Sequence, residues 1–170
     1  MKRKNENPKV VIRIKPHHFI DIITSFGGNE IVCGPHPYGH ALHTVSAFIL
    51  ANRDVILEME FGADDICSPC KHNVNGFCDD IIDTSFRPKT PPSKREWNLL
   101  IDQRWCDYLG LKQGERLTAR KFVKRLNKWS GDITGIYREI PKELIMERAA
   151  YLTRGIEKFG VGAPPAEKGA

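Results

Sequence analysis

Residues 64 to 78 read DDICSPCKHNVNGFC, and no other stretch of this 170-residue chain narrows its folding options as much. Cys67, Cys70 and Cys78 stand in a C-x2-C-x7-C pattern. Two thiols separated by two residues sit on a turn short enough for both to reach one metal, and Pro69 stiffens that turn. Asn75-Gly76 is a second tight-turn signal, of the kind that returns the chain on itself and brings Cys78 round. The loop is polar and carries glycine, so it has no apolar interior for three small thiols to fill. The spacing therefore points to a metal. A closed site needs four ligands, and here Cys78 is followed by Asp79-Asp80 rather than a second Cys pair or a His pair. Three cysteines also suit a [4Fe–4S] cubane with one iron left for another ligand or a substrate, so zinc and an iron–sulfur cluster both stand open on spacing alone.

The cysteine count argues against a disulfide framework. Five is an odd number, and no apolar leader follows the basic start MKRKNENPK, so reduced thiols in a cytoplasm are the expectation. Residues 1–9 and the small, Pro-containing stretch 160–170 read as disordered tails around a single metal-binding domain over 10–159. Apolar residues at 41% and charged residues at 28% are ordinary for a globular domain, and the length allows one sizeable core. No apolar run approaches the roughly 18 residues that span a bilayer, so no membrane role is expected. A net charge of +5 permits a small anionic ligand or a nucleic acid and requires neither, nucleic acid being the less expected partner.

The element pattern is strand, helix, helix, strand, cysteine loop and three helices. VVIRIK alternates as a strand and stops at Pro16. Phe19, Ile22, Ile23 and Phe26 give the next segment a helical face that Gly27-Gly28 should end. Leu42, Val45 and Ile49 mark a second helix. VILEMEF is a strand with Leu57, Met59 and Phe61 on one side; Glu58 and Glu60 on the other could face Arg13 and Lys15 across a strand pair. After the Pro-rich SFRPKTPPSK come helices striped by Trp97, Leu100, Ile101, Trp105 and Tyr108, by Phe122, Val123, Leu126 and Trp129, and by Ile145, Ala149, Leu152, Ile156 and Phe159. LKQGERLT between the first two reads as a turn, with Thr118 as N-cap. The sum is an α+β fold: a small sheet with flanking helices, a Cys-rich metal loop and a helical C-terminal part.

Two further clusters carry chemistry. In KPHHFID, His17 or His18 shares a helical face with Asp21, which is a metal site, an acid/base pair or a capping arrangement. In HPYGHALH, His36, His40 and His43 could bind a metal, or an anion when protonated; equally they could be a polar helix face. Arg120, Lys121, Lys124, Arg125 and Lys128 read as a solvated helix face. Trp97, Trp105 and Trp129 read as core, and Cys33 and Cys106 as bystanders.

IKPHHFID, PYG and DDICSPC-KHNVNGFC together resemble domain-of-unknown-function family 1284, a group of small prokaryotic proteins; the likeness covers most of residues 10 to 126. The resemblance implies a cysteine-ligated metal or iron–sulfur site with the His-His segment beside it. Its pattern places a Cys where this chain has Asp21, which makes Asp21 the expected fourth ligand, a harder oxygen donor than sulfur. Lys15 stands in place of an Arg, and His40 and His43 lie outside the pattern. The functional expectation is thus a metalloprotein with a three-cysteine site, an iron–sulfur cluster favoured over zinc and one position open or held by Asp21. An open iron would act as a Lewis acid on a small anionic substrate held by Lys15, His40 and His43, with His17, His18 and Asp21 moving protons. The competing expectation is a zinc-stabilised binding module for nucleic acid or protein.

Overall fold

The computed structural model describes residues 10–30, 34–128 and 131–160. Cys33, Trp129 and the tail segments 1–9 and 161–170 lie outside the described residues. In chain order the elements are β1 (Val11–Ile14), α1 (Pro16–Gly28), α2 (Leu42–Ala51), β2 (Ile56–Met59), β3 (Asn73–Val74), β4 (Phe77–Cys78), α3 (Lys94–Leu109), β5 (Arg116–Thr118), α4 (Ala119–Asn127) and α5 (Lys142–Lys158). The fold is α+β, as the sequence pattern indicates.

β1 alternates as read, with Ile12 and Ile14 buried and Arg13 exposed. Pro16 opens α1 at a position where a missing N–H costs nothing. β2 lies parallel to β1, Val11 opposite Ile56 and Ile14 opposite Met59. Parallel neighbours need a long crossover, and α1 and α2 supply it. The three-stranded sheet runs β1-β2-β5. β5 falls in the segment that reads as a turn: Arg116–Thr118 joins β2 antiparallel, Arg116 opposite Glu58 and paired with it at 2.5 Å. Three residues with one apolar side chain, Leu117, are too few to show a period. Thr118 is nevertheless the N-cap of α4, its hydroxyl accepting the Lys121 N–H at 3.1 Å.

The glutamate expectation is half right. Glu60 reaches Arg13 at 3.9 Å, whereas Lys15 leaves the row of charges and turns inward, 7% exposed. Gly27-Gly28 does close α1, whose last residue is Gly28. Asn29, at φ 61°, is the left-handed stop. Gly27 also meets Gly155 of α5 at a backbone-to-backbone crossing: a Cβ on Gly27 would lie 1.8 Å from the Tyr151 carbonyl oxygen, and one on Gly155 1.9 Å from that of Ile23.

The core gathers the inner faces of α1, α3, α4 and α5 over the sheet, with Phe19 stacked on Phe122 at 4.5 Å. Trp97 and Trp105 are buried in it, and the Trp105 indole donates to the Tyr137 hydroxyl at 3.1 Å. Tyr108, read as part of the α3 stripe, is 48% exposed. Cys106 is a core residue, and burial pushes its thiol up to about 12.

Because β1 and β2 run the same way, their carboxyl ends emerge side by side. Residues 15 to 18 and residues 60 to 67 therefore meet, though about 50 positions separate them in the chain. The Arg13 amide donates to the Asp65 carboxylate at 2.9 Å, and the Asp65 amide donates to the Arg13 carbonyl at 3.0 Å, which extends the strand pairing into the cysteine loop.

Candidate metal centre

Asp64 organises the junction. It is fully buried, and its two oxygens accept three hydrogen bonds. Oδ1 takes the Cys67 amide at 2.9 Å, which pins the turn carrying C-x2-C. Oδ2 takes the Lys15 amide at 2.8 Å and faces His18 Nδ1 at 2.7 Å. Burial pushes this carboxyl up, but the facing His18 and the amide donors more than offset that and hold it well below the usual carboxylate range. His18 moves the other way: desolvation depresses it below its ordinary value despite Asp64. A neutral His18 donating Nδ1–H to Asp64 leaves Nε2 with its lone pair free, the arrangement by which a carboxylate orients a metal-binding or proton-accepting imidazole.

His17 repeats the device one residue earlier with a different carboxylate. Asp102 of α3 accepts the His17 amide at 2.8 Å through Oδ1 and sits 2.9 Å from His17 Nδ1 through Oδ2. Both partners are buried. Burial lowers the His17 pKa, the Asp102 carboxylate raises it by more, and the outcome is a raised value. Two carboxylates at the first turn of α1 also face the positive end of its dipole.

Cys67, Cys70 and Cys78 line one small cavity of ≈ 20 Å³ together with Lys15, Asn73 and Gly76. The hairpin of β3 and β4 brings Cys78 there, with Asn73 opposite Cys78 in register. Its turn is the predicted Asn75-Gly76, both at positive φ, 52° and 86°. The Lys15 ammonium lies 3.4 Å from Cys67 Sγ. Burial, then the Asp64 charge, drive the Cys67 thiol up to about 12, with Lys15 opposing them. A thiolate in that place needs a cation beyond Lys15, and a metal is one. Among the described residues, the donors that come within 4.8 Å of one another as a trio are His18, Asp64 and Cys67, not the three thiols. The His18, Asp64 and Cys67 donors form a group that could hold a metal ion, with Cys70 and Cys78 lining the adjoining cavity.

Asp21 is not brought to this cavity. It lies farther along α1, its carboxylate bonded to the Arg148 guanidinium of α5. One helical turn beyond His17 is already too far toward α5, and Asp64 is the carboxylate beside the thiols. His40 and His43 are not in the wall of the cysteine cavity, though their neighbours reach the cysteine loop. The loop before α2 docks on the cysteine turn, Ala41 N–H to the Ile66 carbonyl at 3.0 Å and Lys71 N–H to the Tyr38 carbonyl at 2.8 Å. His40 stacks on His36 with centroids 4.2 Å apart, and desolvation, then His36, lower its pKa. Nδ1 of both His40 and His43 is buried with no hydrogen-bond partner among the described residues.

Sequence reading passed over Asp64 and Asp102. Asp64 carries a signal in its spacing, a carboxylate three residues before Cys67 as in a capped turn. Asp102 carries a fainter one, a carboxylate between Ile101 and Trp105 on a helix otherwise read by its apolar stripe.

No protein-family model, no curated protein and no solved structure matches this chain.

Proposed function

We propose that the chain is a metalloprotein whose centre is held by Cys67, Cys70 and Cys78, with His18, oriented by Asp64, at the place that the resemblance to domain-of-unknown-function family 1284 assigns to residue 21. The observation that supports this reading is the convergence of the three thiols and Lys15 on one cavity beside a carboxylate-backed imidazole. An iron–sulfur cluster is the favoured occupant. A single tetrahedral zinc, with Zn–S about 2.3 Å, holds its sulfurs about 3.8 Å apart. The three thiols form no trio within 4.8 Å around the ≈ 20 Å³ cavity, so either occupant requires the cysteine loop to adjust on binding. When bound, such a centre supplies Lewis acidity or an electron at an iron not held by cysteine. Around it, Lys15 holds negative charge, Asp64 fixes the His18 tautomer, and His18 Nε2 accepts a proton or serves as the fourth donor. These groups favour an enzyme acting on a small anion. Anaerobic purification with iron, zinc and acid-labile sulfide analysis tests it. About four irons and four sulfides per chain are expected; one zinc and no sulfide sinks the cluster.

The second reading is zinc in a Cys3His set, favoured by the His18 ring nitrogen lying within 4.8 Å of Cys67 Sγ. Its extension to a nucleic-acid module draws little from α4, where Arg120 pairs with Asp54 at 3.0 Å and Arg125 with Glu115 at 2.5 Å. Substituting Lys121, Lys124 and Lys128 together should flatten the salt dependence of any such binding.

A further inference from the structure

A second cavity of ≈ 50 Å³ adjoins the first, between the β3–β4 hairpin and the first half of α3. The two share Lys15, Gly76 and Cys78 in their walls. Its polar lining is uneven. Lys15 is a nearly buried ammonium whose only hydrogen bond through Nζ, among the described residues, goes to a thiol. Arg95 caps the Phe77 ring at 3.9 Å and pairs with no carboxylate among the described residues. Asn98, one turn along α3, makes no side-chain hydrogen bond there. The one carboxylate in the wall, Asp102, has both oxygens engaged by His17. Lys15 is the one buried cation of the cleft, with only a thiol at its Nζ, while Arg95 is exposed at the mouth. With Asp102 already engaged by His17, a lysine, an arginine and an amide facing one cleft favour a negative ligand. Phe77, Phe61 and Leu99 supply apolar walls.

Size narrows the ligand. A water-sized group needs about 10–15 Å³ measured in this way, so the cleft takes about three to five heavy atoms. We propose that this cleft binds a small planar carboxylate of formate or acetate size, held by Arg95 and Asn98 at the mouth and by Lys15 at the wall shared with the cysteine cavity. This deepens the reading above and rests on it for the purpose of binding, since Lys15 would present the carboxylate to the metal centre. The binding itself uses only groups of this chain.

Titrating formate and acetate into the purified, metal-loaded protein, followed by amide NMR shifts, tests the proposal. Saturable shifts confined to Lys15, Gly76 and residues 95–102 are expected, with a Kd on the order of millimolar for so small a ligand. Arg95→Gln should weaken binding about tenfold or more, by loss of a charge-assisted bidentate contact. Asn98→Asp, at a half-buried position that either side chain can occupy, should abolish it. Absence of saturation, equal shifts with chloride, or unchanged affinity in both variants would overturn the proposal. Metal content measured on the same samples separates the two readings. A metal-loaded sample that ignores formate overturns the cleft alone, and a preparation that never holds metal yet binds formate overturns the metal centre alone.

Discussion

At its first turn α1 offers two imidazoles to carboxylates that come from β2's loop and from α3. At its last turn it lies against α5 with no side chain between the two backbones. The first end is held by directional bonds over a small cavity; the second is a close backbone crossing, flanked by Lys158 of α5 donating to the Phe26 carbonyl at 3.1 Å. A site with cavities can absorb a changed side chain locally; a backbone crossing has nowhere to put one. The glycine end should therefore govern whether the chain folds, and the imidazole end what the folded chain can hold.

The largest effect should come at the crossing. Gly27→Val places atoms inside the Tyr151 carbonyl, where only backbone separation relieves the clash. A loss above about 4 kcal/mol and no cooperative thermal transition by circular dichroism are expected. A well-folded variant would break the contrast from that side. Next is Asp102→Ala, which strands a buried His17 and should cost about 3 kcal/mol in denaturant unfolding. The His17 pKa is raised in the folded state, so Asp102 contributes its full stabilisation below about pH 6.5 and loses it as pH rises through the folded value. In Asp102→Asn burial alone governs His17 and holds its folded value down, so that slope should reverse, with stability rising as pH rises.

Asp64→Asn sharpens the comparison, because it should cost only about 2 kcal/mol, by setting a donor against one of the buried donors Asp64 now accepts, while weakening metal retention about ten- to hundredfold in a chelator competition, the usual cost of losing a ligand's orienting carboxylate. The smallest effect is expected at Asp21, whose side chain is 42% exposed. Asp21→Asn should change stability by no more than about 1 kcal/mol and leave metal content untouched. Loss of metal in that variant would restore Asp21 as a ligand and undo the assignment to His18.

These contrasts also explain what the sequence made visible. Patterns written over neighbouring residues were readable: C-x2-C, the Asn75-Gly76 turn, the α1 stripe, the Thr118 cap. Whatever depends on which segments meet was not. Lys15 looked like the end of an alternating charge row, because nothing local distinguishes a lysine that faces a glutamate from one that turns toward a thiol on a distant loop. Asp21 looked like a ligand from its spacing to His17, and only the Arg148 of a helix more than 120 residues on draws it away. The glycines carried the same ambiguity: Gly27-Gly28 has the composition of a helix stop and closes α1, while the close approach of α5 gives Gly27 a second purpose.

The parallel pairing of β1 with β2 also bears on the order of assembly. Lys15 and Cys67 are 52 positions apart, and they become neighbours only after a long loop closes and the crossover helices have packed. A free peptide covering the cysteine turn and hairpin would own the thiols but neither the lysine nor the backed imidazole. Maturation is therefore expected as a late event, on a chain already folded, with the cofactor or its components arriving from solvent rather than nucleating the fold. Stopped-flow refolding of the metal-free protein should then be as fast with metal present as without it.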